Sequence, residues 1–516
     1  MKKIINHILA SILLVLVVSC DKGFDDLNTS KVNPTALDPV LILNNAVVNS
    51  FSSAVGTSTL TYEMPIVQQM FSSNTGVLFG GNFNQTNIGN TPLNWISYYQ
   101  NVIKYTSDVI ANTKADATRT NLYHMARIIK ANTFIILTET YGDIPYTEAG
   151  AGYTDNNFFP KYDTQQSIYS DIIKELTEAS GALSASGKIE TNDALYGGDI
   201  VKWKKLGYSL LLRAGMRLTK ADPTKAQATV AAAFAGGVMI SNADNAIIKY
   251  DANFSNGIGL TLTGTEAANF HLAAPFVDFL KNSSDPRLPA IAVRYVGAKS
   301  GTDQKESVAD RTAANQYGLP VGSTDGAANT AGGLLPGGGT QFAFTQADRT
   351  RVVKKTSPMF IVTAGQTNLL LAEAAFLGWI PGGFTAASNY YVAGITAHMN
   401  QMASYDPGSA ISAANITAYL AIPTNQLTIG TELKQIGEQY WVASFLDGPE
   451  AWSNFRRTGF PALTPNPYSG SEVPGAFINR LSYPPSEILV NSAHVQAAID
   501  EQGGKNDLAT KMWLFK

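Results

Sequence analysis

Two carboxylates, Glu139 and Asp143, stand four residues apart in ETYGDIPY (139–146). A glycoside hydrolase uses such a pair as general acid and nucleophile, set about 5–5.5 Å apart for retention or about 6.5–9.5 Å for inversion. Capping of a helix end and formation of the Tyr141-Gly142-Asp143 turn explain the same residues without any chemistry. Other chemistry is hard to build from this chain. Its histidines, at 7, 124, 271, 398 and 494, never fall at H-x-x-x-H spacing, which argues against a zinc hydrolase. No G-x-S-x-G elbow and no G-x-x-x-x-G-K-[ST] loop occurs. The glycine run Gly332–Gly339 lacks the lysine of a phosphate loop and reads as a flexible connection. No D-x-D-x-D-G run supports calcium. Asp285-Pro286-Arg287 and Arg456-Arg457 look chemical, but an internal ion pair or a carbonyl-capping arginine accounts for each. We therefore expect no catalytic constellation, no metal site and no cofactor.

Binding is better served. Sugars offer flat C–H faces ringed by hydroxyls, so a receptor for them combines aromatic platforms with Asn, Asp, Gln and Arg. The segment FSSNTGVLFGGNFNQTNIGNTPLN (71–94) supplies Phe79, Asn82, Phe83 and Asn84, and Trp95 follows it. Residues 297–345, rich in Gly, Ser, Thr, Ala and Asn, add Tyr317. Core burial is the commoner fate of each aromatic taken alone; Phe79 and Phe83 fare best as platforms, because a Gly/Asn-rich loop gives an aromatic ring little core to enter. Trp95 also begins an apolar helical pattern with Tyr98, Tyr99 and Val102, which would turn it inward.

The elements that must carry these residues are mostly helical. Leu122, Ala126, Ile129 and Thr133 share one face before the Tyr141 turn. Asp163 with Gln166 suggests a capping pair ahead of Ile168, Ile172, Leu176 and Ala179. Trp203, Leu206, Leu210 and Ala214 repeat the pattern until Asp222-Pro223 stops it. In TAGQTNLLLAEAAFLGWIP (363–381), Thr363 and Gln366 can form a capping box, Gly378 suits a left-handed C-cap, and Pro381 prevents continuation. A helix restarting near Thr385, with Tyr391, Ile395 and Met399, completes an antiparallel hairpin. Leu433, Ile436, Tyr440 and Ala443 mark a further helix. Serial hairpins, and the W-x2-L-G start at Trp203, point to degenerate tetratricopeptide-like packing. The fold class expected is mainly α, with long irregular insertions at 71–94 and 297–345 and a few short strands such as AIIKY (246–250) and LPAIAVRYV (288–296).

Composition fits a large folded body: 516 residues, 45% apolar and 15% charged, with a net charge of −3 that offers nucleic acid no cationic footprint. The single cysteine excludes an intrachain disulfide framework. It stands at position 20, behind Lys2, Lys3 and an apolar run of about eleven residues, Ile8–Val18, the length of a secretory h-region rather than a membrane span. Val17-Val18-Ser19-Cys20 resembles a bacterial lipobox, in which Cys20 becomes the acylated first residue of the mature chain; an ordinary secretory signal with a chance cysteine is the alternative. The expected order is a signal peptide over 1–19, a lipidated tether over 20–39, and one ligand-binding domain over 40–516.

An ordered series of motifs then resembles the SusD/RagB-like nutrient-binding lipoproteins of the bacterial outer membrane. It comprises Cys20 with FDDLNTSKVNPT, TETYGDIPYTEA (138–149), YGGDIVKWKKLGYSLLLRAGMRL (196–218), DPRL (285–288), QTNLLLAEAAFLGWI (366–380), AWSNFRRTGFPAL (451–463) and NRLSYPPSEILVN (479–491). The terminal TKMWLFK departs from the family's usual tryptophan pair and acid. The resemblance implies helical hairpins bearing a ligand-binding face of inserted loops. It also implies a protein that is not an enzyme and sits as a lid on a SusC-type TonB-dependent barrel. Its ligand would be an oligosaccharide or, in some members, an oligopeptide. A surface glycoside hydrolase and a purely structural lid subunit remain the alternatives.

Overall fold

The computed structural model describes residues 37–152 and 155–516. Cys20, the leader and the tether as far as residue 36 lie outside the described residues. The longer helices are α1 (Pro39–Asn49), α2 (Lys104–Thr113), α3 (Thr120–Tyr141), α4 (Gln165–Ala182), α5 (Ile200–Arg217), α6 (Pro223–Gly236), α7 (Ala364–Phe376), α8 (Gly383–Gln401), α9 (Glu432–Ala443) and α10 (Gly448–Thr458). From α1 to α6 each packs on the next in sequence; α7 pairs with α8, and α5 and α9 both lean on α7. This is serial hairpin packing of the tetratricopeptide kind, and the mainly helical fold expected is the fold observed.

Local chemistry explains the boundaries. Thr363 and Gln366 form the reciprocal capping box that opens α7, and Gly378 takes φ 72° after its end. The capping pair proposed at Asp163 is displaced by one residue. Thr164 is the N-cap of α4 and accepts from the Ser167 N–H, whereas the Asp163 carboxylate accepts from the Tyr146 and Thr147 N–H groups. Asp222-Pro223 starts a helix and does not end one, since α5 already stops at Arg217: Asp222 accepts from the Lys225 N–H, and Pro223 fills the first turn of α6, where its missing N–H costs nothing. Gly207 lets α5 approach α4, since a Cβ there would fall 2.0 Å from the Ser180 hydroxyl.

Strands are short. Ile247–Ile248 pairs antiparallel with Met359–Phe360, within the expected AIIKY segment. The LPAIAVRYV expectation holds only in its second half: Arg287–Ile291 is helical and Ala292–Tyr295 is the central strand of a three-stranded sheet. The Gly332–Gly339 run starts at the end of a helix, Asp325–Gly333, and then continues as turn and irregular backbone, as expected. Among the described residues no helix is long and apolar enough to cross a membrane.

Polar groups bolt the helices together from inside. Arg217 on α5 is fully buried, 3.0 Å from Glu139 on α3 and 2.5 Å from Glu450 on α10; Arg213 reaches the same Glu450 at 3.1 Å. Tyr169 on α4 donates to Glu139, and Tyr440 on α9 donates to Glu450 at 2.5 Å. Five helices thus share one buried ion cluster. Arg457 on α10 grips Glu373 on α7 through both guanidinium nitrogens.

Candidate functional site

Three irregular segments far apart in sequence, 71–92, 317–345 and 464–476, are stitched into one face. Asn466 donates to the Asn82 carbonyl at 2.6 Å, and Gln68 donates to the Thr464 carbonyl at 2.6 Å. The Glu472 carboxylate receives the Thr86 N–H and hydroxyl at 2.8 and 2.7 Å, while its own N–H donates to the Asn84 carbonyl at 2.9 Å. Ser73 joins the third segment, donating to Asp325 at 2.7 Å and to Gln341. Loops of this length carry many backbone groups without a ladder, and here Asn, Gln and Glu side chains from neighbouring loops supply the partners.

The residues singled out in the sequence separate on this face. Phe79 is partly exposed. Phe83 is only 1% exposed, its ring tilted against Tyr468 at 4.6 Å, so it holds two loops together instead of offering a platform. Asn82 is buried as well; its side chain donates to the Ser72 carbonyl and its own carbonyl is taken by Asn466. The loop does have a core, made from the other loops, which the local composition could not reveal. Trp95 is 5% exposed within an aromatic cluster of Tyr99, Tyr141, Tyr162 and Tyr483, so the inward reading of its helical pattern is the correct one. Tyr317 is half-buried, with Lys281 and Arg294 at 4.3 and 5.0 Å from its ring centre and Phe71 and Phe344 in the cluster it packs on. Those cations occupy ring surface that a sugar would need.

What the sequence reading passed over is Tyr468, partly exposed, and its segment TPNPYSGSEVPGA (464–476). Its Pro, Gly and Ser content is the same signal that drew attention to 71–94. Asn74, Asp325, Asn329 and Gln341 give the face hydrogen-bonding groups that are at least partly exposed. Val77 and Leu334, 76% and 84% exposed, add apolar contact.

The carboxylates considered for catalysis have structural duties. Glu139 is enclosed by Arg217 and Tyr169. Asp143 caps α4 by accepting from the Gln165 N–H at 2.7 Å, and burial pushes its pKa up to about 6. Arg287 is paired with Asp285 inside the core, as the sequence suggested, and Arg456 donates to the Asn479 carbonyl at 2.7 Å. His271 and His124 are held neutral by burial, their pKa values lowered to about 3 and 4. Among the described residues no three His, Cys, Asp or Glu side chains are grouped to hold a metal ion.

The family described as "Starch-binding associating with outer membrane", a SusD-like family, matches residues 31–484. A solved structure named a chitin-binding protein is 30% identical, with a TM-score of 0.81 over 93% of this chain and all of the other. A Bacteroidetes protein, AC2a SusD-like, superposes at a TM-score of 0.80 with 24% identity, over 93% of this chain and 100% of that one. A chitin-binding SusD homolog from Flavobacterium johnsoniae does so at 0.71 with 22% identity, over 92% and 96% of the two chains. No curated protein matches the chain. On the family match and the 30% identity over the full length of its relative, the chain belongs to the SusD-like family.

Proposed function

We propose that the protein is a surface lipoprotein that captures a glycan on the face formed by 71–92, 317–345 and 464–476 and passes it to a SusC-type TonB-dependent barrel. The observation that carries this reading is the joining of three distant loops into one built surface. On those joined segments Phe79 and Tyr468 stay partly exposed, as do Asn74, Asp325, Asn329 and Gln341. Aromatic faces with a few fixed polar groups are what flat, hydroxylated rings select. The family description, and the chitin-binding relative at 30% identity, favour a polysaccharide fragment over a peptide. No cofactor takes part. Capture is reversible and modest in affinity, because a ligand held too tightly would not be released.

Cys20 supplies the anchor to the outer membrane, acylated at its thiol. A patch suited to a protein partner lies elsewhere on the body. Phe158, Phe159, Leu489 and Val490 are all exposed, and their segments are tied by Asn491 donating to the Pro160 carbonyl and Tyr162 donating to Glu487.

Titration calorimetry with chitin- and starch-derived oligosaccharides tests the central point. Phe79→Ala combined with Tyr468→Ala should weaken binding at least tenfold, about 1.4 kcal/mol. Unchanged affinity in that double variant, or binding of oligopeptides and of no saccharide, contradicts the assignment.

A further inference from the structure

A groove of about 320 Å³ opens between α2, α3 and α4, and none of its lining residues belongs to the three loops of the proposed binding face. Its walls include Tyr123 and Phe134 from α3 and Tyr146 from the turn beyond it; the Phe134 and Tyr146 rings meet edge to face at 4.5 Å. Arg127, Lys130, Asp171 and Glu175 supply its charges.

The two cations are in different states. Arg127 is saturated: it bonds Glu175 through two nitrogens at 2.8 Å and Glu178 at 2.8 Å. Lys130, half-buried one turn further along α3, makes no hydrogen bond or ion pair among the described residues; its ammonium lies 5.9 Å from the centre of the Phe134 ring. Burial lowers its pKa, against the opposing pull of Glu175 and Asp171. A half-desolvated ammonium without a partner is costly, and an anionic ligand would relieve it. Asp171 is likewise half used: one oxygen accepts the Tyr146 hydroxyl at 2.8 Å, and the other has no donor among the described residues.

We propose that this groove is a second saccharide site, selective for a pyranose that carries a carboxylate, with the acid group on Lys130 and a ring hydroxyl donating to Asp171. A bare anion such as acetate would satisfy Lys130 but leave the second Asp171 oxygen without a donor. A neutral sugar would satisfy Asp171 and leave Lys130 unpaired. A sugar acid serves both, and its C–H face has the partly exposed Tyr146 ring to lie against, which Phe134, buried behind it, holds edge to face. The volume is at the lower end for small-ligand pockets, which run from about 300 to 1,000 Å³, and suits one or two sugar rings.

The test is calorimetric, on the mature full-length protein, with methyl glucuronide, methyl glucoside and acetate as separate probes. Methyl glucuronide should bind at least tenfold more tightly than either of the others. Lys130→Gln, which breaks no bond within the protein, should abolish that preference. Asp171→Asn should weaken the glucuronide several-fold, and Phe79→Ala with Tyr468→Ala should leave it unchanged. Equal affinity for glucuronide and glucoside, or for glucuronide and acetate, overturns the proposal, as does full retention of binding in a folded Lys130→Gln protein. The loop face is probed by neutral oligosaccharides and stands or falls separately.

Discussion

Charged and amide side chains hold both the helical scaffold and the loop face together, but they do so differently. Between the helices, Arg217, Glu139, Glu450 and Arg213 meet one another, side chain to side chain, sealed from water. Across the loops, Asn466 and Gln68 donate to backbone carbonyls of distant segments, and Asn82 donates to the Ser72 carbonyl ten residues back. An enclosed ion cluster fixes relative helix positions and tolerates no unpaired member. Side-chain bonds to backbone fix loop paths while leaving the outward side chains free to vary. The scaffold is therefore where stability resides, and the loop face is where a ligand can be read.

The largest effect expected from breaking that contrast is on Arg217. Arg217→Met leaves buried Glu139 without its cation and Glu450 with Arg213 alone, and should cost about 3–5 kcal/mol in denaturant unfolding, with saccharide affinity of the folded fraction unchanged. Next comes pH. Burial raises Glu63 to about 7 from 4.5, so the folded protein holds a proton that the unfolded chain releases. Stability should then fall as pH rises from about 4.5 to about 7, by up to about 1.4 kcal/mol per pH unit. Asp447, raised to about 6 by burial, contributes in the same direction over a narrower range. Glu63→Gln should flatten the Glu63 part, and a slope identical to wild type would contradict the assignment. Asn466→Ala, on the other side of the comparison, leaves the buried Asn82 carbonyl unpaired and should cost about 1–3 kcal/mol. It should appear first as faster amide exchange near 80–85 and 464–468, with α7 and α8 unaltered. Smallest of all is the stability change on Phe79→Ala, under about 0.5 kcal/mol, because the ring is partly exposed.

The same contrast governs how much the sequence discloses. Helix α7 was legible because its cap, its face and its left-handed stop all lie within nineteen residues, Thr363 to Pro381. The loop face was legible only as two places where helical pattern fails. Phe83 and Asn82 looked free because their partners, Tyr468 and Asn466, stand almost four hundred residues away. Tyr317 looked free because Lys281 and Arg294, which cover it, come from a helix and a strand outside its own loop. Trp95 was resolved by its own helical spacing, a local signal. The Asp163 expectation failed by one residue because Thr164 caps equally well by type, and Asp163 finds Thr147 across a strand pair.

Amide hydrogen exchange of the mature protein, with and without a saturating neutral chitin or starch oligosaccharide, measures where the ligand lands. The loops at 74–90, 325–341 and 464–476 should exchange more slowly when ligand is bound, while α7 and α8 should not change. Protection confined to the helical hairpins, or none anywhere under saturation, would show that this face is not the receptor.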